Sequence, residues 1–175
     1  MKICIFCSAN SDIEPVYFEK TRELGEWIAG NGDAIVFGGC DMGLMECIAE
    51  AVYTNGGMTI GVVPSKIEEN GHVSPHLSVE IPCDNLSDRK DLMLLKSDVV
   101  IALPGGLGTL DEIFTVAASA TIGYHGKKVI LYNINGFWPL YGKTAIFIHP
   151  LANFLNLLFQ YRFTFYFPLF STKIF

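Results

Sequence analysis

Hydrophobic residues occur along the chain in two alternating arrangements. Short, nearly continuous apolar runs predict strands, and they lie at 2–8, 33–39, 58–64, 77–82, 98–104 and 127–133. Apolar residues at helical spacing predict the intervening helices, which lie at about 15–30, 44–55, 88–96 and 109–122. Because the strand runs show no polar alternation, both faces of the sheet are expected to be buried. The predicted fold class is therefore α/β, a Rossmann-like, doubly wound parallel sheet with helices on both faces.

Two glycine-rich stretches directly follow predicted strands, FGGCDMGLM at 37–45 and ALPGGLGTLDE at 102–112. Ligands of such folds bind beyond the carboxyl ends of the strands, an edge that Ser8 is also expected to reach. The second stretch leads into a helix, whose free amides and positive dipole end suit a phosphate. Neither stretch matches the dinucleotide or P-loop fingerprint. The alternative is that the glycines serve only the strand-to-helix turn.

Two further stretches contain candidate catalytic or binding residues, and each of them also has a purely structural interpretation. Thr109 and Glu112 have the T-x-x-E spacing of a capping box, whereas the functional alternative places the Glu112 carboxylate beside the reacting carbon of a ligand. Arg89 and Lys90 lie near a helix start, where cations do not complement the helix dipole. They are candidates for anion binding, and the alternative is a solvated pair behind a cap at Ser87 or Asp88.

Composition narrows the class of protein. The 175 residues include half hydrophobic residues, enough for one core, and the net charge of −6 disfavours nucleic acid as a partner. The five cysteines and the absence of a signal-peptide pattern lead us to expect a cytoplasmic protein with reduced thiols. No metal site is predicted, because Cys4 and Cys7 read as packed thiols and Gly71 and Pro75 argue against a helix carrying two histidines.

The last part of the chain differs from the rest. All 18 acidic residues precede position 141, and half of the aromatic residues lie after 140. We therefore expect a single domain at 1–140 and an atypical, aromatic-rich tail at 141–175. Three interpretations of the tail stay open: a docking arm in a dimer, a membrane-touching segment, or an aberrant C-terminus. Polar residues interrupt the segment, so a transmembrane span and a membrane partner are not expected.

Four motifs together resemble the LONELY GUY (LOG) family over about 2–140. PGGLGTLDE matches P-G-G-x-G-T-x-x-E, GGCDMGLM resembles G-G-G-x-x-G-L-M, SDRK resembles M-H-x-R-K, and IFCSAN resembles F-C-G-S-S. The resemblance implies a phosphoribohydrolase that cleaves the N-glycosidic bond of purine riboside 5′-monophosphates, typically cytokinin nucleotides and sometimes AMP. It also implies a homodimer and no cofactor or metal.

The resemblance assigns roles to individual residues. Arg89 and Glu112 are implied to be catalytic. The implied substrate-binding residues are Ser8, Gly38, Gly39, Gly43, Lys90, Gly105, Gly106, Gly108 and Thr109. Departures from the family pattern at Cys40, Glu46, Ser119 and Thr121 leave the preferred base open. A second interpretation is a non-catalytic nucleotide-binding or molybdenum-cofactor carrier protein, which shares the P-G-G-x-G-T loop but does not need the Arg89 and Glu112 pair.

Overall fold

The computed structural model describes residues 1–138 and the backbone of 145–148. Seven strands form one sheet: β1 Lys2–Phe6, β2 Ala34–Phe37, β3 Met58–Pro64, β4 Val79–Cys83, β5 Val99–Ala102, β6 Val129–Tyr132 and β7 Ala145–Ile148. The predicted tail at 141–175 lies outside the described residues apart from β7. Among the described residues, no helix is long and apolar enough to span a bilayer.

The strand order is β4-β3-β2-β1-β5-β6-β7, and every neighbouring pair is parallel except β6 with β7. This sheet confirms the predicted α/β class, and each predicted apolar run overlaps one observed strand, with β4 ending one residue beyond its run. The apolar pattern did not predict β7, which pairs antiparallel with β6 and extends the sheet at one edge.

Within residues 1–138, five helices connect the strands: α1 Pro15–Gly30, α2 Gly43–Thr54, α3 Ser65–Glu69, α4 Leu86–Leu95 and α5 Leu107–Thr121. A short 3-10 helix follows β6 at Ile134–Gly136. The bounds of α1 agree with prediction, whereas α4 and α5 begin two residues earlier than predicted and α3 was not predicted. The cap of α4 is Asn85 and not Ser87 or Asp88, since Oδ1 of Asn85 accepts hydrogen bonds from both of their amides.

The sheet has an apolar core on each face. Ile3 and Ile5 of β1 pack in a cluster with residues of α1 and α2. Cys4 and Phe6, which alternate with them, pack in a second cluster with Met93 of α4 and residues of α5. Side chains of one strand thus enter two separate cores, which confirms helices on both faces of the sheet.

The strand order places the switch in chain direction between β1 and β5, at the centre of the sheet. The chain leaves β1 toward α1 and leaves β5 toward α5, and these two helices cover opposite faces. The two departing segments are joined where they diverge, because the amide of Ser8 donates to the carbonyl of Pro104 at 3.1 Å. A divergence of this kind is where open α/β sheets bind ligands.

Candidate functional site

The glycine loop after β5 opens directly into α5. Gly106 is the N-cap residue, and no side chain caps this end of the helix. The first amides of α5 therefore lack intrahelical acceptors, and the helix dipole adds partial positive charge there. A Cβ placed on Gly106 or on Gly108 would have no heavy atom within 4 Å. Both glycines thus face open space at the sheet edge, where an anion has room to approach.

Thr109 lies inside α5, three residues after the N-cap, and it is buried. A Cβ on Gly105 would overlap Oγ1 of Thr109, so the missing side chain of Gly105 is what lets Thr109 fold back under the loop. The capping-box interpretation of Glu112 is wrong, because it requires Thr109 to be the N-cap residue and the helix begins earlier.

Glu112 instead forms an ion pair with Arg89 of α4. Nη2 of Arg89 donates to Oε1 of Glu112 at 2.8 Å, and the two side chains are 12% and 4% exposed. Burial raises the pKa of Glu112 to about 7, although the positive charge of Arg89 opposes that rise. Within residues 1–138, Oε1 is the hydrogen-bonded oxygen of Glu112 and Oε2 is left for a ligand or water.

Gly38 makes room for the Arg89 guanidinium. A Cβ on Gly38 would lie 3.2 Å from Nη1 of Arg89 and 3.3 Å from Sδ of Met45. The loop after β2 therefore borders the ion pair. Gly39 has φ +71°, and a Cβ there would come within 2.5 Å of Val63, so Gly39 serves the turn itself.

The glycine-rich stretch after β2, at 37–45, contacts the segment that follows β1. Gly43 has φ +58°, and a Cβ there would lie 2.6 Å from the carbonyl carbon of Ala9. Its amide donates to Oγ of Ser11, and the amide of Leu44 donates to the carbonyl of Ser8. The first amides of α2 thus already have acceptors, so this stretch positions the segment around Ser8 and offers a ligand fewer free donors than the start of α5.

Lys90 extends to α5. Its Nζ donates to Oδ2 of Asp111 at 2.7 Å and to Oγ1 of Thr115 at 3.1 Å. The structure therefore brings Lys90 to the helix that carries Glu112, while the sequence indicated only that a cation follows Arg89. Asp111 and Thr115 were missed as partners because their spacing to Lys90 exists only after α4 packs on α5.

The cysteines are packed in the core, and His76 is paired with a carboxylate. All five cysteines are buried and free, and burial raises the pKa values of Cys4 and Cys7. His76 pairs with Glu46 at 2.6 Å, so the departure from the family pattern at Glu46 has its own partner. Among residues 1–138, no three His, Cys, Asp or Glu side chains are grouped to hold a metal ion.

The fold and this geometry define a Rossmann-like α/β protein whose candidate site lies at the strand switch. The model of the SLOG cluster4 family matches residues 1–145, and the chain belongs to this family. The resemblance to LOG proteins is thereby confirmed.

Named relatives agree with this assignment. The chain is 35% identical over 137 residues to a protein of Oryza sativa subsp. japonica named as a probable cytokinin riboside 5′-monophosphate phosphoribohydrolase. It is 32% identical over 137 residues to a protein of Arabidopsis thaliana named as a cytokinin riboside 5′-monophosphate phosphoribohydrolase. Each alignment covers 78% of this chain and 60% of the relative, so the chain spans about three fifths of their length.

Solved structures include proteins with a different named role. The chain is similar to the molybdenum cofactor binding protein of the phototrophic bacterium Rippkaea orientalis, with 31% identity and a TM-score of 0.63 over 74% of each chain. It is also similar to the molybdenum cofactor carrier protein of Chlamydomonas reinhardtii, with 26% identity and a TM-score of 0.62 over 74% of each chain. The fold is thus shared by proteins named as hydrolases and by proteins named as carriers.

Proposed function

We propose that this protein is a phosphoribohydrolase that cleaves the N-glycosidic bond of a purine riboside 5′-monophosphate. Water is consumed, and the products are the free base and ribose 5-phosphate. The observation that carries the proposal is the buried ion pair of Arg89 and Glu112, which borders the strand switch where the loop of Gly105–Gly108 leaves the start of α5 open.

The geometry suits this chemistry. Cleavage of an N-glycosidic bond builds positive charge on the ribose ring, as in glycoside hydrolysis. An ionised Glu112 stabilises that charge, and its Oε2 orients or deprotonates the attacking water. Water adds its oxygen to the anomeric carbon, and the departing base gains a proton. Arg89 holds Oε1 of Glu112, and its positive charge favours departure of the base.

The 5′-phosphate is assigned to the loop after β5. The amides at the start of α5 and the helix dipole supply the positive potential, and Gly106 and Gly108 present no side chain to block approach. Gly38, Gly39 and Gly43 shape the adjoining wall, together with Ser8. No metal or cofactor is required for this step.

The substrate is assigned by class. Both relatives are named for cytokinin riboside 5′-monophosphates, and the same bond occurs in AMP. All four departures from the family pattern have partners inside this protein. Cys40 forms a backbone β-bridge with Val73, Glu46 pairs with His76, Ser119 lies 3.1 Å from His125, and Oγ1 of Thr121 donates to the carbonyl of Ala118. A panel of nucleoside monophosphates therefore has to establish which base is preferred.

The second candidate function is that of a molybdenum-cofactor carrier, which the two structural neighbours favour. The discriminating feature is the buried ion pair. Desolvating a carboxylate and a guanidinium carries an energetic cost, which catalysis explains and passive binding does not. Copurification of a pterin chromophore, with no hydrolysis of any nucleotide, would support the carrier.

The decisive experiment is a hydrolysis assay on AMP, isopentenyladenosine monophosphate and other nucleotides, with both products identified. Release of ribose 5-phosphate is expected. The variant Glu112→Gln should bind nucleotide and lose turnover by about 10²- to 10⁴-fold. Glu50→Gln, at an exposed position of α2, is the matched control and should behave as the unmodified protein. Absence of ribose 5-phosphate from every substrate would remove the proposal.

We also propose a single domain at 1–140 in a cytoplasmic homodimer. Exposed apolar side chains support the dimer: Leu95 at the end of α4 is 73% exposed, Leu107 at the start of α5 is 85% exposed, and Ile122 directly after α5 is 69% exposed. Light scattering of the full chain should give the mass of two protomers. A monomer at micromolar concentration would argue against the dimer.

A further inference from the structure

We propose that Lys90 is a positioning residue that locks α4 against α5 through Asp111 and Thr115, so that Arg89 and Glu112 keep their pairing. This inference rests on the proposed function, since the pairing it protects is the one assigned to catalysis. It replaces the expectation that Lys90 binds the substrate directly.

Two adjacent ion pairs join α4 to α5. Consecutive residues of α4, Arg89 and Lys90, bind consecutive residues of α5, Glu112 and Asp111. Lys90 also donates to Thr115, one helical turn beyond Asp111. It therefore holds α5 on both sides of Glu112 along the helix axis, which restricts sliding and rotation of one helix against the other.

The burial of Lys90 supports a role inside the protein. Its side chain is 13% exposed, whereas that of Asp111 is 58% exposed. An ammonium group removed from water needs acceptors, and two of its three donors are engaged by α5. Direct binding of a phosphate by Lys90 would require the group to leave one or both of these acceptors.

The lock, meaning the contacts of Lys90 with Asp111 and Thr115, also affects the pKa of Glu112. Arg89 and Lys90 face Glu112 from α4, and Asp111 precedes it on α5. Lys90 lowers the pKa of Glu112 and Asp111 raises it, in addition to the larger effects of burial and Arg89. The charge of Glu112 also acts on Cys4 of β1 and on Cys7 just after it, and burial keeps these thiols protonated by raising their pKa values.

The test compares Lys90→Met and Asp111→Asn with the control Lys96→Met, an exposed lysine at the end of α4. With a nucleotide that the unmodified protein hydrolyses, both lock variants should lose about tenfold or more in kcat while KM changes little, since small displacements of a catalytic group are costly. The double variant should lose no more than either single variant, because the two residues act as one unit. Lys96→Met should be unchanged.

Two kinetic outcomes would overturn the inference. If Lys90→Met raises KM at constant kcat and Asp111→Asn does not, Lys90 is a substrate ligand. If both variants lower Tm and leave kcat of the folded protein intact, the lock serves stability alone.

A readout without turnover separates this inference from the proposed function. The carboxyl carbon of Glu112 is titrated by NMR in the unmodified protein and in Asp111→Asn. Loss of the Asp111 charge alone would lower the pKa of Glu112, whereas a loosened contact with Arg89 raises it, so the lock predicts an upward shift of the Glu112 titration. An unchanged or lowered titration overturns the lock even where hydrolysis is observed. An upward shift in a protein that hydrolyses no nucleotide supports the lock and removes the proposed function.

Discussion

Nη2 of Arg89 lies 2.8 Å from Oε1 of Glu112, and this ion pair joins the N-terminal halves of α4 and α5. Both helix starts lie at the edge of the sheet where β1 and β5 send the chain to opposite faces. Because both side chains are largely removed from water, removal of one partner leaves the other without compensation.

The pKa of Glu112 predicts a pH-dependent reaction. Since the catalytic form is the carboxylate and burial raises its pKa to about 7, kcat/KM should rise with pH and level off above this value. A pH–rate profile of the unmodified protein between pH 5 and 9 measures this. An acidic limb with its midpoint near pH 4.5 would show that Glu112 ionises as in solution and would contradict the assignment.

The same pKa predicts a change in stability. The folded pKa of about 7 lies above the ordinary value of 4.5, so the folded protein binds the extra proton between these pH values. The stability contributed by this group is therefore present below pH 4.5 and is lost as pH rises toward 7. The unmodified protein should therefore lose stability on the order of 2 kcal/mol between pH 5 and pH 8 through this group, and Glu112→Gln, which cannot ionise, should lack this pH-dependent loss. Urea unfolding at both pH values measures the difference.

Three glycine substitutions separate packing from ligand binding in the loop after β5. Gly105→Ala should destabilise by about 1–3 kcal/mol, because its Cβ would overlap Thr109. Gly106→Ala should cost up to about 1 kcal/mol, because alanine is a poorer N-cap than glycine, and Gly108→Ala should raise stability by about 0.5–1 kcal/mol as an alanine inside a helix. Both should still raise KM, because the added methyl groups occupy the space assigned to the phosphate. Unchanged KM in both variants would place the phosphate elsewhere.

Gly38→Ala tests the space beside Arg89. The added Cβ would lie 3.2 Å from Nη1 of Arg89, so the guanidinium or Met45 has to shift. We expect a loss of about tenfold or more in kcat, measured in the nucleotide assay. Gly30→Ala is the matched control, because a Cβ there has no neighbour within 4 Å, and its activity should equal that of the unmodified protein.

The cap of α4 gives a test that needs no activity. Oδ1 of Asn85 accepts from the amides of Ser87 at 2.8 Å and Asp88 at 3.1 Å, so Asn85→Ala should cost about 1 kcal/mol. Ser87→Ala should change stability by less than about 0.5 kcal/mol. Thermal unfolding of the two variants measures this, and equal losses would mean that Asn85 is not the effective cap.

The local pattern predicted some features better than others. Continuous apolar runs identified six parallel strands because burial on both faces demands them. The local pattern predicts the helix starts less accurately: it places the cap of α4 at Ser87 or Asp88 where the structure has Asn85, and it starts α5 at Thr109, two residues late. The T-x-x-E spacing of Thr109 and Glu112 is compatible both with a capping box and with a buried carboxylate at Glu112, so spacing alone does not distinguish the two.

The sequence by itself determined the α/β class and the glycine loop at a strand end, because these depend on local periodicity, and its family motifs made Arg89 and Glu112 the candidate catalytic residues. Only the tertiary structure decided what these residues contact. Glu112 meets Arg89, and Lys90 meets Asp111 and Thr115, because α4 and α5 pack on the same face of the sheet. Such contacts join residues more than 20 positions apart, and no local pattern records the distance between two helices.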